Sequence, residues 1–466
     1  MRIIVSCFIA GMLNMGIEMV AGRMLVPILG SSLYQWAGLI GTALASYIIG
    51  YFLHEKLFAR LQALVLLLPF FYLLFVRAVF AKVTVLALQF DLMAASILLS
   101  AFIIFVPSMI WAAFLPYLQG LQSVKKPARL LAYSALGNLV GVWAISFYLI
   151  PTVGTVKALL ILILLAGILS MLWINTIRVV FGLVLLISGF ALAHFSIRVN
   201  QQAVLFHTDS AYQSITVSKN LTLSIDGNPQ FVFHPGEKLN NRGMENYFNY
   251  ATKIAEKIRN HEHASVLVLG LGGGLVAGQI KNLYPEIEVQ AVEIDPKMIE
   301  VAKIYFDLPA SVGVTADDAR LYLSRTTKKY DYIFLDTYVN SYVPFHLVTR
   351  EFVDLLSQAL KPGGIVAVNL LQSQRESGFL GKFANTMGES FTHVYQKDLV
   401  QVANTMLLAW NDSNGSEPDA ISKEEGVFAS EKTADGVFTD DLSNSDLLLY
   451  RTRKTLAVNS TGFDFF

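Results

Sequence analysis

The chain has a single cysteine, Cys7, inside an apolar run, which excludes a disulfide framework and a cysteine-based metal site. Its eight histidines are scattered without metal-ligand spacing, which argues against a metalloenzyme. Charge is also scarce. Only 15% of residues are Asp, Glu, Lys or Arg and mean hydropathy is +0.51, too apolar for an ordinary soluble protein. The more polar second half has no basic patch interleaved with aromatics, so no nucleic-acid partner is indicated. The first apolar run, residues 3–28, continues past signal-peptide length without a small-residue cleavage site and is expected to be retained.

What charge there is falls unevenly. Residues 1–200 carry 12 Lys and Arg against 3 Asp and Glu, and the remainder carries 23 against 32, so a net charge of zero conceals +9 and −9. The first half reads as a transmembrane domain of about seven helices, near 3–28, 33–53, 61–80, 92–119, 130–150, 157–174 and 178–196. Most of these segments approach the roughly 20 apolar residues that span a hydrocarbon core. Lys125, Lys126 and Arg129 form the densest basic loop and are expected on the cytoplasmic side. Three segments after that loop would put the second half on the opposite side, away from the metabolite pool of the cytoplasm. A multipass protein of the cell inner membrane with a cytoplasmic globular half is therefore favoured on biochemical rather than charge grounds.

Within the globular half, the apolar run Val266 to Leu269 feeds Gly270-Leu271-Gly272-Gly273-Gly274, and Glu293 ends the next apolar run about twenty residues later. Strand, glycine turn, helix from Val276 to Leu283, strand and terminal acid follow the order of a βαβ unit. Glycines let a ligand approach the backbone, and a carboxylate can accept both hydrogen bonds of a ribose diol. Dinucleotide binding usually wants G-x-G-x-x-G; G-x-G-G-G suits the nucleoside pocket of S-adenosylmethionine-type enzymes better. A glycine loop is also often only a tight turn, and here its position in the βαβ order strengthens the ligand reading.

Three regions are expected: the transmembrane domain at 1–200, a small β-hairpin layer at 201–262 with Asp226-Gly227 as its turn, and a Rossmann-like, methyltransferase-like doubly wound sheet at 263–466. The sheet is expected to be parallel. Gly270 to Gly274, Glu293, Asp318 and Asp336 all fall at carboxyl ends of strands, where open α/β sheets bind ligands. Asp317 is placed to cap the helix that follows it, and residues 411–433 read as a flexible loop. Glu18 and Arg23 lie about 140° apart on a helix and need not pair. Each is a functional candidate near a membrane segment, or it snorkels to the interface.

Residues 205–375 resemble the spermidine synthases, the polyamine aminopropyltransferases, in the branch where such a domain follows a multispan region. Tyr212-Gln213, Asp226-Gly227-x2-Gln230, Glu293, Asp318-Ala319 and Asp336 carry the resemblance, with Pro344-x-His346-Leu347, Arg350-Glu351-Phe352 and, more loosely, Phe438-Thr439-Asp440-Asp441. In the membrane half it extends to Glu18-x4-Arg23-x3-Pro27-x2-Gly30 and Gly137-x3-Gly141. The likeness implies that Gln213 contacts the aminopropyl donor, Glu293 holds its ribose, Asp318 and Ala319 lie beside its adenine, and Asp336 deprotonates the acceptor amine. Decarboxylated S-adenosylmethionine would be the co-substrate, methylthioadenosine the product, and no metal would be needed. Tyr212, Tyr247, Tyr250, Tyr338 and Tyr342 would line the amine pocket, where an aromatic face attracts a cation, or would pack ordinarily. Soluble relatives commonly pair through the β-layer, so a homodimer is implied by analogy.

Three departures stand out. Gly273 occupies the place of the family's aspartate in its glycine turn, Val339 replaces a second aspartate after the base, and the Asp-Glu-x3-Tyr-His-Glu segment is missing, with His234 to Glu237 and Met244 to Tyr247 in its region. Two other functions stay open beside aminopropyl transfer. One is an S-adenosylmethionine-dependent methyltransferase; the other is a non-catalytic membrane sensor of a nucleoside or polyamine.

Overall fold

The computed structural model describes residues 1–29, 32–87, 89–121, 127–173, 204–233, 247–259, 261–337, 343–371, 378–399, 404–412, 427–429 and 436–440. The chain divides into two compact units between Lys219 and Asn220.

The first unit contains helices α1 (Arg2–Leu29), α2 (Leu33–Leu61), α3 (Leu68–Ala87), α4 (Leu92–Gln119), α5 (Pro127–Val153) and α6 (Thr155–Met171). Among the described residues four stretches are long and apolar enough to cross a membrane: Arg2–Val26, Leu33–Phe58, Leu92–Gln119 and Pro127–Val153. The expected segments 61–80 and 157–174 correspond to the shorter apolar helices Val65–Val76 and Thr155–Met171. Segment 178–196 lies outside the described residues, as do Lys125 and Lys126. Small residues set the tightest crossing: a Cβ on Gly137 would stand 2.0 Å from the Phe8 carbonyl oxygen, and one on Gly11 2.1 Å from that of Ser134. Backbones of α1 and α5 thus touch where glycine repeats, the usual device for packing apolar helices closely. On α2, Ile40, Leu44, Ile48 and Phe52 recur every four residues and are all exposed, forming one apolar stripe. The hairpin of β1 (Val204–Asp209) and β2 (Ser214–Ser218) completes the described part of this unit. It is tied to the helices by Asp209, whose Oδ2 accepts the Thr155 amide at 2.6 Å.

The second unit opens with the hairpin of β3 (Thr222–Ile225) and β4 (Asn228–Val232). Asp226 and Gly227 turn it with φ of 49° and 80°, the positive pair a tight hairpin requires. Then come α7 (Tyr247–Ile258) and a sheet of β5 (Ser265–Leu269), β6 (Glu288–Glu293), β7 (Gly313–Ala316), β8 (Tyr330–Leu335), β9 (Leu360–Leu371), β10 (His393–Leu399), β11 (Asn404–Trp410) and β12 (Val427–Ala429). Its order is β12-β10-β11-β9-β8-β5-β6-β7.

Five strands, β5 to β9, run parallel, whereas β11 is antiparallel to both β9 and β10, and β12 to β10. The sheet is therefore mixed rather than wholly parallel. A short connection between β10 and β11 forces the reversal, since parallel neighbours need a long crossover. Within the stretch expected as a loop, Val427–Ala429 forms the edge strand, and residues 413–426 and 430–435 lie outside the described residues.

Alternate side chains of the central strands serve two cores. Leu267, Leu269, Ile333 and Leu335 pack with Phe352 of α11 (Arg350–Ala359) and Phe379 and Phe383 of α12 (Phe379–Met387). Val266, Val268, Tyr332 and Phe334 pack with Ile254 of α7, Ile280 of α8 (Leu275–Leu283) and Ala302 of α9 (Pro296–Tyr305). The two-residue period of a strand thus yields a sheet covered on both faces, the doubly wound arrangement. Strand order reverses between β5 and β8, which opens a crevice at their carboxyl ends.

Candidate functional site

Gly270, Gly272 and Gly274 all have positive φ, at 88°, 52° and 81°. Gly270 must also lack a side chain, because a Cβ there would lie 2.2 Å from the carbonyl oxygen of Asp336. The end of β8 is thereby brought against the turn after β5, an approach the Asp336 amide reinforces by donating to Leu269 O at 2.8 Å.

Glu293, at the end of β6, is buried and faces the same turn. Its Oε2 accepts the amides of Leu271 at 3.0 Å and Gly272 at 3.2 Å, and its Oε1 accepts that of Asp295 at 3.0 Å. Burial pushes its pKa up, and the three backbone donors pull the other way. With about two acceptor positions per carboxylate oxygen, Oε1 keeps one for a further donor. The Gly274 amide is bonded to Leu271 O at 2.9 Å. With these amides engaged internally, the turn has few N–H groups left for a pyrophosphate, which needs several pointing outward.

Asp318 caps α10 (Ala319–Arg325), accepting the amides of Arg320 at 2.9 Å and Leu321 at 3.0 Å on Oδ1. The cap is Asp318 and not Asp317, whose Oδ1 instead accepts the Asp318 amide at 2.9 Å. Only the residue with extended φ and ψ immediately before the helix can turn its carboxylate back onto the first amides. The other oxygen of Asp318 faces His346 Nε2 at 3.1 Å, and that contact is the main reason its carboxyl is held below the usual range. Ala319 is buried at the first position of the helix.

Asp336 follows β8 and is partly buried. Asn369 Nδ2 donates to its Oδ1 at 3.0 Å, and Asn404 Nδ2 donates to Asn369 Oδ1 at 2.7 Å. Loss of hydration pushes the Asp336 pKa up to about 6, with the Asn369 bond opposing. A carboxylate so placed can take a proton near neutral pH.

The structure thus brings the glycine turn, Glu293, Asp318, Ala319 and Asp336 to neighbouring strand ends of one unit. Gln213 and Tyr212 belong to the β1–β2 turn of the first unit. There Gln213 is buried, its backbone N–H donating to Ser210 Oγ at 3.0 Å, and Tyr212 is exposed with its carbonyl accepting from Arg23. Tyr250 is buried in the core with Ile254 and Tyr332. Tyr247 begins α7, while Tyr338 and Tyr342 lie outside the described residues, as do Val339 and Asp441.

Phe231, Asn369 and Asn404 have no signal in the linear pattern. Phe231 stands over Gly273, where a Cβ would meet its Cζ at 2.3 Å, and packs edge-on against Phe306 with centroids 5.1 Å apart. Asn369 and Asn404 sit at the ends of strands far apart in sequence. Asp440 is bound by Arg320 Nη1 at 2.7 Å and Nη2 at 2.5 Å and by Thr349 Oγ1 at 2.8 Å, so its charge is answered within the chain.

The family model of the spermine/spermidine synthase domain matches residues 249–402. A polyamine aminopropyltransferase of Vibrio vulnificus is 31% identical over 214 residues, covering 43% of this chain and 69% of that protein. A probable polyamine aminopropyl transferase of Bifidobacterium longum is 30% identical over 197 residues, 41% of this chain and 44% of that protein, so the match spans less than half of its length. An N-terminal histidine N-methyltransferase of Emericella nidulans is 36% identical over 111 residues, 23% of this chain and 20% of that protein.

Proposed function

Because this chain belongs to the spermine/spermidine synthase family, we propose that it is a membrane-anchored aminopropyltransferase acting on decarboxylated S-adenosylmethionine and putrescine or a related amine. The observation that carries the reading is Asp336, at the carboxyl end of β8 beside the glycine turn, bonded to Asn369 and with its pKa pushed up to about 6. Glu293 offers its remaining acceptor position to the donor's ribose, and Asp318 and Ala319 flank its base. Asp336 accepts a proton from the acceptor amine, whose nitrogen attacks the methylene carbon bonded to the sulfonium sulfur. That carbon–sulfur bond breaks, its electron pair stays on sulfur, and methylthioadenosine leaves. The Phe231 ring fills the space over Gly273, where soluble relatives carry a carboxylate.

Four apolar helices and the exposed stripe on α2 support anchoring in a bilayer. The supply of a nucleoside substrate supports a cytoplasmic site at the inner membrane, which accessibility of a tag at residue 200 would test. The family likeness supports a homodimer paired through its β-layer, to be tested by mass measurement in detergent. A second reading, methyl transfer from S-adenosylmethionine, is favoured by the partial match to a methyltransferase and by Gly273. Mass spectrometry after incubating the full-length protein with either donor and a panel of amines decides between them. An aminopropylated amine supports the first reading; a methylated acceptor with S-adenosylhomocysteine, and no aminopropylated product, refutes it.

A further inference from the structure

Glu18 lies within the apolar stretch Arg2–Val26 and is only 5% exposed, so it does not snorkel to an interface. Its carboxylate accepts the hydroxyl of Tyr47 on α2. Arg23 does not answer its charge; that guanidinium is turned to the backbone carbonyls of Tyr212 and Ser210. Asn14 precedes Glu18 by four residues, about 40° round the helix and about 6 Å along it, and so lies on the same face. It is 8% exposed, and its Oδ1 has no hydrogen-bond partner. One turn beyond Glu18 the carbonyl of Gly22 accepts the Gln35 side-chain amide at 2.7 Å. The other end of that amide, Gln35 Oε1, is also buried without a partner.

One face of α1 thus presents acceptor oxygens on successive turns: an amide oxygen, a carboxylate, and a second amide oxygen carried by α2. Buried acceptors call for a donor or a cation, and a buried carboxylate is costly unless its charge is compensated. One carboxylate balances one positive charge; a divalent ion or a diamine dication would leave an excess charge in apolar surroundings. Hard oxygen ligands suit an alkali ion or a primary ammonium rather than a soft metal. We propose that the helical unit binds one monovalent cation on this face of α1, with Glu18 as counter-charge and the Asn14 side-chain oxygen as a neutral ligand.

This site is independent of the nucleoside crevice and of the reaction assigned to it. The test uses purified full-length protein in detergent, titrated with sodium, potassium or propylammonium chloride against choline chloride at constant ionic strength. The thermal midpoint should rise saturably with at least one of the three and not with choline, and the arm that responds identifies the cation. Asn14→Ala should weaken the effect about tenfold, and Glu18→Gln should abolish it. Equilibrium dialysis of the unsubstituted protein with the labelled cation should give about one bound per chain, whether or not the variants fold. No preference over choline in either measurement would show a neutral carboxyl held by Tyr47 alone, and undiminished binding in Glu18→Gln would put the cation elsewhere; either overturns the proposal.

Discussion

Replacing Asp336 by Asn separates what the site does from what it costs the fold. The carboxyl's pKa rises from 3.8 to about 6 on folding because hydration is lost at the end of β8. A group whose folded pKa is raised contributes favourably below its unfolded pKa, and that contribution is lost as pH rises through the folded value. Above pH 6, then, the ionised carboxylate destabilises the unit. A shift of about two units at about 1.4 kcal/mol each gives about 3 kcal/mol; residual contact with solvent discounts this to about 2. Asn is isosteric, is uncharged at every pH, and still offers Oδ1 to Asn369. Asp336→Asn should therefore stabilise the globular unit by about 2 kcal/mol at pH 8 and by less than about 0.5 at pH 4, while abolishing product formation. Hydrogen exchange read on peptides covering β5 and β8 in the full-length protein measures this without assuming one global transition. A variant less stable than the parent at pH 8, or a gain that does not change between pH 4 and pH 8, would refute the reasoning.

Removing the donor in Asn369→Ala should raise the Asp336 pKa further, moving the acid limb of the pH–rate profile upward, and an unmoved limb counts against the Asn369 contact. Glu293→Ala leaves three amides of the glycine turn and its neighbour unpartnered and should cost about 2 kcal/mol, seen as a lower thermal midpoint with loss of nucleoside binding. Gly273→Asp drives a Cβ into the Phe231 ring and should destabilise by at least about 1 kcal/mol. Phe231→Ala in the same chain should recover much of that loss, so additive effects in a double-mutant cycle would exclude the contact.

The convergence of the glycine turn and Glu293 is legible because it is local: Gly270 to Gly274 and Glu293 belong to one βαβ unit, where spacing alone sets the geometry. Asp336 could be placed at a strand end for the same reason. Nothing local announces Asn369, which reaches Asp336 because β8 and β9 are neighbours in the sheet, or Asn404, which reaches Asn369 because β9 and β11 are. Gly273 likewise reads as an unexplained departure until Phe231, 42 residues earlier, is seen to fill the space. The reversal of β11 was hidden because Asn404 to Trp410 is buried throughout and carries no alternation to mark its direction. The burial of Tyr250 in the core is not legible in composition, which cannot tell an aromatic in a crevice from one in a core. In the apolar half, helix positions followed from hydropathy, but the burial of Glu18 against Tyr47 depends on how α1 meets α2.

Methylthioadenosine release from decarboxylated S-adenosylmethionine and putrescine, followed from pH 5 to 9 in the full-length protein and in Asp336→Asn, tests the central claim most directly. The account predicts formation that rises through an apparent pKa near 6, accompanied by an aminopropylated amine and lost in the variant. Release that is independent of pH across this range, or that persists in Asp336→Asn, would contradict it.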